Sequence, residues 1–466
     1  MFQLSDAAPL TDDLQQLRRA LHRDPEVGLH LPDTQRTVLA ALARLGLEIS
    51  TGRSLSSVTA VLRGGRPGPA VLLRADMDAL PVQEAADLPY ASRRPGVMHA
   101  CGHDLHVSAV VGAARLLAGR REDLAGDVVF MFQPGEEGHG GAQLMIDEGV
   151  LDAAGSRVVA AYALHVLANT LPAGTVATRP GTILAASDGF DVTVIGRGGH
   201  GSSPHTALDP VPVVCEMVTA LQTMVTRGVD AFDPAVITVG SLHAGRARNV
   251  IPETATFQAT VRTVSERARA QVRAAVLRTL RGIADAHGVR VEIDYRDGYP
   301  VTVNDADETA FATGVAAELL GPGRTLLAPQ PISGSEDFSF VLQQVPGAFL
   351  GIGACPPGRD PAAAPMNHSP NAAYDDSVLP AAAALLADLA AGRLAACADD
   401  AEHAGNAGDA GNAAGASDPG GASDARSAHA GTADSRTTDS PTADSPTTDS
   451  RTADTGSADT GAEALR

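Results

Sequence analysis

The segment Met98-His-Ala-Cys-Gly-His-Asp104 sets a thiol, Cys101, two residues before an imidazole, His103, in a glycine-containing turn. Thiolate sulfur and imidazole nitrogen bind borderline-soft ions such as zinc. The spacing lets both side chains point into one small volume. Further along lie tandem carboxylates at Glu136-Glu137, a histidine closing an apolar run at His165, and another in a proline-rich loop at His368. Each alone has an ordinary reading: a small buried Cys, two solvated acids in a turn, a satisfied core His. Together they are the parts of a metal-assisted hydrolase. Water on such an ion is acidified to about pKa 7, and a carboxylate can then take its proton. Neighbouring side chains at a strand end point different ways. One of Glu136 and Glu137 can therefore bind metal while the other reaches the water.

Other residues surround these. Arg74-Ala-Asp76-Met-Asp78 closes an apolar run, and an Asp at a strand end is placed to orient a ligand His or hold a proton. His99 and His106 flank the Cys101 turn and are expected to pack or hydrogen-bond behind the ligands. Gly198-Gly-His200-Gly-Ser-Ser-Pro-His205 is a glycine-rich turn, but it lacks the Gly-Lys-Ser/Thr ending of a phosphate loop. Arg248-Asn249-Val-Ile-Pro252 has nothing diagnostic in isolation.

These residues need elements to position them. Leu14, Leu17 and Leu21 give a helical stripe with Thr11 as its cap. Ala70–Leu73, Val128–Phe132, Val158–Leu164 and Ala348–Ile352 read as buried strands. From residue 181 to about 298 the rhythm changes. Strands are expected at Phe190–Ile195, Ala235–Leu242, Thr254–Arg262 and Val289–Tyr295, with helices at Pro210–Arg227 and Ser265–His287. That β-α-β-β-α-β order is the ferredoxin-like split unit. The expected architecture is an α/β domain, 1–180 and 299–397, interrupted by a smaller inserted α/β domain, 181–298.

Residues 398–466 are a different polymer. They contain no Phe, Tyr, Trp, Ile or Val, carry thirteen acidic and four basic residues, and repeat a Thr/Asp/Ser pentad from Thr432 to about Thr455. Such a segment is expected to be a disordered acidic tail.

The 466-residue chain is 44 % hydrophobic but only 3 % aromatic, so its core must rest on Ala, Val and Leu. All 35 basic residues are Arg, and the net charge of −20 disfavours nucleic acid and anionic membranes as partners. Four scattered Cys make no disulfide framework. No basic-then-apolar leader opens the chain, and no run of about 18 consecutive apolar residues occurs. The expectation is a soluble, cytoplasmic protein.

Taken in order, these strings resemble the metal-dependent amidohydrolases that include hippurate hydrolases, indoleacetyl-amino-acid hydrolases and related deacylases and carboxypeptidases. The likeness runs from about His22 to Asp376. It is carried by Arg74–Pro81, Met98–Asp104, Phe132–Glu137, Ala163–His165, Gly198–His205, Asn249–Pro252, Ser335–Ser339 and His368–Pro370. The resemblance implies a metallopeptidase-like catalytic domain with a lid or dimerisation domain inserted in it. It implies two divalent ions, zinc, manganese, cobalt or nickel, held by Cys101, His103, Glu137, His165 and His368, with Cys101 shared. Glu136 would be general base and acid, and Asp78 would support the site. His200 would stabilise the oxyanion, and Asn249 would hold the substrate carboxylate. Inserted domains of relatives often dimerise, which implies a homodimer in which His200 can act across subunits. The implied reaction is cleavage of the amide bond of N-acyl amino acids by metal-activated water. A dipeptidase or carboxypeptidase on the same fold is the alternative, and a non-catalytic metabolite-binding relative is a more distant one. Gly135, Leu105 and Ser202 depart from the family pattern, and Leu105 is expected to reshape the pocket wall.

Overall fold

In the computed structural model of the chain, residues 1–412 are described, with their side chains to residue 400. The first half supplies strands β1 (Glu48–Thr51), β2 (Val58–Leu62), β3 (Arg66–Asp76), β4 (Ala125–Gln133), β5 (Ala160–Leu167) and β6 (Val176–Thr178). Its helices are α1 (Thr11–Arg23), α2 (Pro32–Leu42), α3 (His103–Gly119) and α4 (Gly141–Asp147). Next come β7 (Ala186–Ile195), α5 (Pro210–Gly228), β8 (Ala235–Ala244), β9 (Thr254–Thr263), α6 (Glu266–His287) and β10 (Arg290–Tyr299). The chain closes with α7 (Ala306–Leu320), β11 (Thr325–Leu327), β12 (Gly347–Gly353) and α8 (Leu379–Asn412).

The large sheet has the order β1-β2-β4-β3-β5-β12-β6-β11. Its centre, β4-β3-β5-β12, is parallel, while β2 on β4 and β6 on β12 are antiparallel. Side chains alternate across a strand, and here both faces are covered. Val71, Leu73, Val128, Phe130, Tyr162 and Leu164 join one apolar cluster, shared with α1, α3 and α8. The residues between them, Leu72, Val129, Met131, Ala161 and Ala163, join a second with α4, Phe338 and Val341. This explains why the strands read as continuous apolar runs rather than alternations. Small residues replace aromatics by close approach. A Cβ on Gly112 of α3 would lie 2.6 Å from that of Ala383 in α8.

The segment from Ala186 to Tyr299 builds its own four-stranded antiparallel sheet, β8-β9-β7-β10, with a separate apolar cluster that includes Phe190, Val194, Phe257, Met217 and Val276. Its elements follow in the order β-α-β-β-α-β. Gly181–Leu184, inside the boundary expected at 181, pairs with Thr302–Asn304 outside it.

Some expectations shift. Thr11 is the first residue of α1 rather than its cap, and its hydroxyl donates to the Ala8 carbonyl. Leu105 is fully buried in the main apolar cluster, not on a pocket wall. Helix α8 runs past the expected boundary at 398 to Asn412. The pentad repeat lies outside the described residues. The segment Asp376–Asp400 is long and apolar enough by composition to cross a membrane, with mean hydropathy 1.5. Asp388 and Arg393 interrupt it, and 67 % of its most apolar window is buried within the protein, as in a core helix.

Candidate metal centre

The expected ligands meet beyond the C-terminal ends of the parallel strands, the place where open α/β sheets carry their sites. β3 leads into Asp78, β4 into the Glu136-Glu137 turn, and β5 carries His165. Cys101 Sγ lies 3.4 Å from His165 Nε2 and 3.2 Å from His368 Nε2. Glu137 Oε1 is 3.2 Å from His368 Nε2 and 3.9 Å from His103 Nε2. Cys101, His103 and His165 form one group able to hold an ion, and Cys101, Glu137 and His368 form another. Cys101 belongs to both.

Backbone carbonyls aim the rings. His103 Nδ1 faces the Asp78 carbonyl at 2.8 Å, and His165 Nδ1 faces the Val166 carbonyl at 2.8 Å. Each Nδ1 donates there, which aims each Nε2 into the group; burial opposes a charge on His103, but Asp76 and Cys101 hold its imidazole well above the usual range. Gly102 makes the Cys101–His103 turn. Its φ is +87°, and a Cβ would meet Val166 Cγ2 at 2.4 Å. Gly102→Ala is therefore expected to cost about 1–3 kcal/mol. Chemical denaturation checks this, and wild-type stability would mean the turn has another conformation open to it. Gly135 is also left-handed, at φ +77°. His368 is one of two non-glycine residues with positive φ among those described, at +70°. Such backbone strain gathers at functional sites.

Two observations fit the group to a cation. His103 Nε2 is buried without a hydrogen-bond partner, and Glu137 Oε1 meets only the His368 ring at 3.2 Å. An orphaned buried polar atom costs about 1–3 kcal/mol unless something compensates it. The mixed sulfur, nitrogen and oxygen set also suits zinc and its neighbours in the first transition row.

Asp78 touches the site through two groups. Its carboxylate accepts from the backbone N–H of Glu136 at 2.9 Å and of Glu137 at 3.0 Å and lies 3.7 Å from His103 Nδ1, while its carbonyl faces that nitrogen at 2.8 Å. Glu136 is 6 % exposed, with Oε2 4.0 Å from His103 Nε2. Burial, with Glu336, Glu137 and Asp337 nearby, pushes its carboxyl well above the usual range. Burial also works to raise Glu137, but His368 and His103 hold it below. Burial and the charge of His106 pull His165 well down. Hydrogen bonds to Cys101 and Glu137 lift His368 to about 10.

Both ring nitrogens of His106 have protein partners. Its Nδ1 faces Asp76 at 2.5 Å, and its Nε2 accepts from Val166 N–H at 2.8 Å. His99 is fully buried and burial lowers it to about 4. His200 and Asn249 sit together on the inserted unit, where Gly201 N–H donates to the Asn249 carbonyl at 2.8 Å. Both are exposed, and among the described residues no hydrogen bond or ion pair joins either to the ligand group.

Four supporting residues, Asn367, Arg74, Glu336 and Asp337, had no role in the sequence reading. Asn367 donates to the carbonyls of Cys101 and Val166 and accepts from Ala168 N–H, tying three ligand-bearing segments together. Arg74, 2 % exposed, pairs with Asp76 at 2.6 Å, Glu336 at 2.7 Å and Asp337 at 2.9 Å. Glu336 and Asp337 lie in a string quoted for the resemblance, Ser335–Ser339, but pairwise spacing could not have linked them to Arg74.

The model of the peptidase family M20/M25/M40 matches residues 72–392, which covers more than half of the chain and every proposed ligand. The chain belongs to this family. It is a metal-dependent hydrolase acting on amide bonds. Thermostable carboxypeptidase 2 of Saccharolobus solfataricus is 35 % identical over 379 residues, 80 % of this chain and 94 % of that protein. Hippurate hydrolase of Campylobacter jejuni is 35 % identical over 343 residues, 73 % of this chain and 88 % of that one. A dinuclear metal-binding peptidase of family M20 from Bacillus subtilis superposes with TM-score 0.71 at 32 % identity, covering 83 % of this chain and 99 % of that chain.

Proposed function

We propose that this family member cleaves the amide bond of N-acyl amino acids, with Glu136 as general base and acid. The observation that carries the reading is the convergence of Cys101, His103, Glu137, His165 and His368 around the unpartnered His103 Nε2, with the Glu136 carboxylate beside them. Those five residues would hold two divalent ions, of zinc, manganese, cobalt or nickel, and the place of Cys101 in both groups suits a shared ligand. Such ions, when bound, acidify a water and polarise the acyl carbonyl.

The chain's own residues do the rest. Glu136 takes the water's proton at its carboxylate and returns it to the leaving amine nitrogen. Asp78 fixes the backbone of Glu136 and Glu137 through two hydrogen bonds. His200 stabilises the oxyanion, and Asn249 holds the substrate carboxylate. Both stand exposed on the inserted unit, whose element order is that of a ferredoxin-like fold. They reach the centre by closure of that unit as a lid, or from the second subunit of a homodimer formed through it. Relatives named hippurate hydrolase and N-acetyl-L-cysteine deacetylase support the substrate class. Relatives named carboxypeptidase keep peptide substrates as the second reading.

The deciding experiment is amine release by the metal-loaded enzyme from hippurate, N-acetyl and indoleacetyl amino acids, compared with dipeptides. Preference for the N-acyl amino acids is expected. Faster cleavage of dipeptides would replace this reading with the peptidase one.

A further inference from the structure

The loop that carries Glu136 is closed in part by its own backbone: Gly138 N–H donates to the Glu136 carbonyl at 2.7 Å and Gly141 N–H to the Gly135 carbonyl at 3.1 Å. Gly135, Gly138 and Gly140 all take positive φ, and Gly141 follows. Side chains from elsewhere add further ties. Asp78 takes the N–H groups of Glu136 and Glu137, and Asp337 accepts from Ala142 N–H at 3.0 Å. The third clamp is the Tyr299 hydroxyl, which donates to the Glu136 carbonyl at 2.6 Å and accepts from Gly140 N–H at 3.0 Å. One hydroxyl thus satisfies an acceptor and a donor across five residues of the loop.

Tyr299 is the last residue of β10, where the inserted unit hands the chain back to the large sheet. A bulge prepares its position. The register of β10 on β7 shifts between Arg296 and Tyr299. Gly298 lies within the shift, and a Cβ there would meet the Ser187 carbonyl oxygen at 1.9 Å. Asp188 accepts from Gly298 N–H at 2.9 Å, and Arg269 bridges Asp188 to the Gly298 carbonyl. A bulge re-aims the side chain that follows it. Here it turns the phenol toward the Glu136 loop, with the ring edge-on to Phe340 at 6.0 Å. Asp78 and Asp337 clamp the loop from the catalytic body, whereas Tyr299 clamps it from the inserted unit.

We propose that Tyr299 is a positioning residue for amide cleavage, one that ties the placement of Glu136 to the exit strand of the inserted unit. The kinetic half of this proposal rests on the amidohydrolase reading above; the structural half does not. A misplacement of about 1 Å from outside the chemistry can cost about 10²-fold in rate.

Tyr299→Phe keeps the ring and removes both hydrogen bonds. Expected are a kcat lowered by about 10- to 100-fold, unchanged KM and metal content, and faster hydrogen exchange at the Gly140 amide. Phe340→Leu disturbs the ring packing and leaves the hydroxyl in place, so its kcat should stay near wild type. Wild-type kcat in Tyr299→Phe, unchanged exchange at Gly140, or an equal loss in Phe340→Leu would each overturn the proposal. If the wild-type enzyme cleaves no N-acyl amino acid, the functional reading fails by itself. Exchange at Gly140 then decides the clamp: faster exchange upholds it and unchanged exchange removes it.

Discussion

Glu136→Gln is expected to retain its metal and lose most of its turnover, with kcat lower by about 10²- to 10⁴-fold. Glutamine keeps the size and can still hydrogen-bond a water, but it cannot accept the proton. The backbone clamps of the loop act on main-chain atoms and on Asp78, so they survive the change. That separates chemistry from architecture. Metal content by elemental analysis should match wild type, and KM should move little. Turnover at the wild-type rate with full metal would take Glu136 out of the mechanism.

Cys101→Ala is expected to lose at least one metal ion per chain, because Cys101 belongs to two candidate groups that share no other residue. The fall in activity should exceed the about 10- to 100-fold typical when only a residue supporting a ligand is changed. Full occupancy in the variant would mean that the sulfur is not a ligand. The same centre predicts the direction of its pH dependence. In the ion-free protein His368 is raised to about 10 by its hydrogen bonds to Cys101 and Glu137, so it is protonated at neutral pH. An ion must displace that proton. Binding therefore releases protons, tightens as pH rises and weakens as pH falls. Metal titrations at several pH values check the sign, and tighter binding in acid would contradict it.

The sequence already exposes the part of this centre that is local. Cys101 and His103 are two residues apart, and their convergence needs only the left-handed Gly102 between them. Glu136 and Glu137 are neighbours at a strand end, and alternation separates their roles. His165 and His368 became ligands only through the resemblance, since nothing in their surroundings distinguishes them from ordinary core or loop histidines. The Arg74 network was hidden because its partners are 262 and 263 residues away. A strand-end Asp suggests a carboxylate behind a histidine, but the nearer contact of the Asp78 carbonyl to His103 depends on a backbone path that residue type does not encode. Strand positions were legible because buried parallel strands read as unbroken apolar runs. Their ends were not, because pairing continues into polar residues such as Gln133 and Arg296.

The position of β12 in the large sheet bears on how the protein comes into being. This strand lies between β5 and β6, yet the ribosome makes it more than 160 residues after either of them. Until Gly347–Gly353 emerges, those two strands lack their shared neighbour, and α8, which covers one face, is synthesised later still. The stretch from Ala186 to Tyr299 waits for nothing downstream, because its sheet and apolar cluster are drawn from its own residues. Contacts distant in sequence form slowly, since loop closure must precede their reward. The middle of the chain is thus expected to mature first and the catalytic body to close around it last. In a refolding experiment read by pulsed hydrogen exchange, amides of Phe190–Ile195 should gain protection before those of Ala160–Leu167. The reverse order would assign nucleation to the body instead. On this view the Tyr299 contact, bridging an early-forming part and a late one, is made near the end of assembly, and the centre becomes competent only when the whole chain has been delivered.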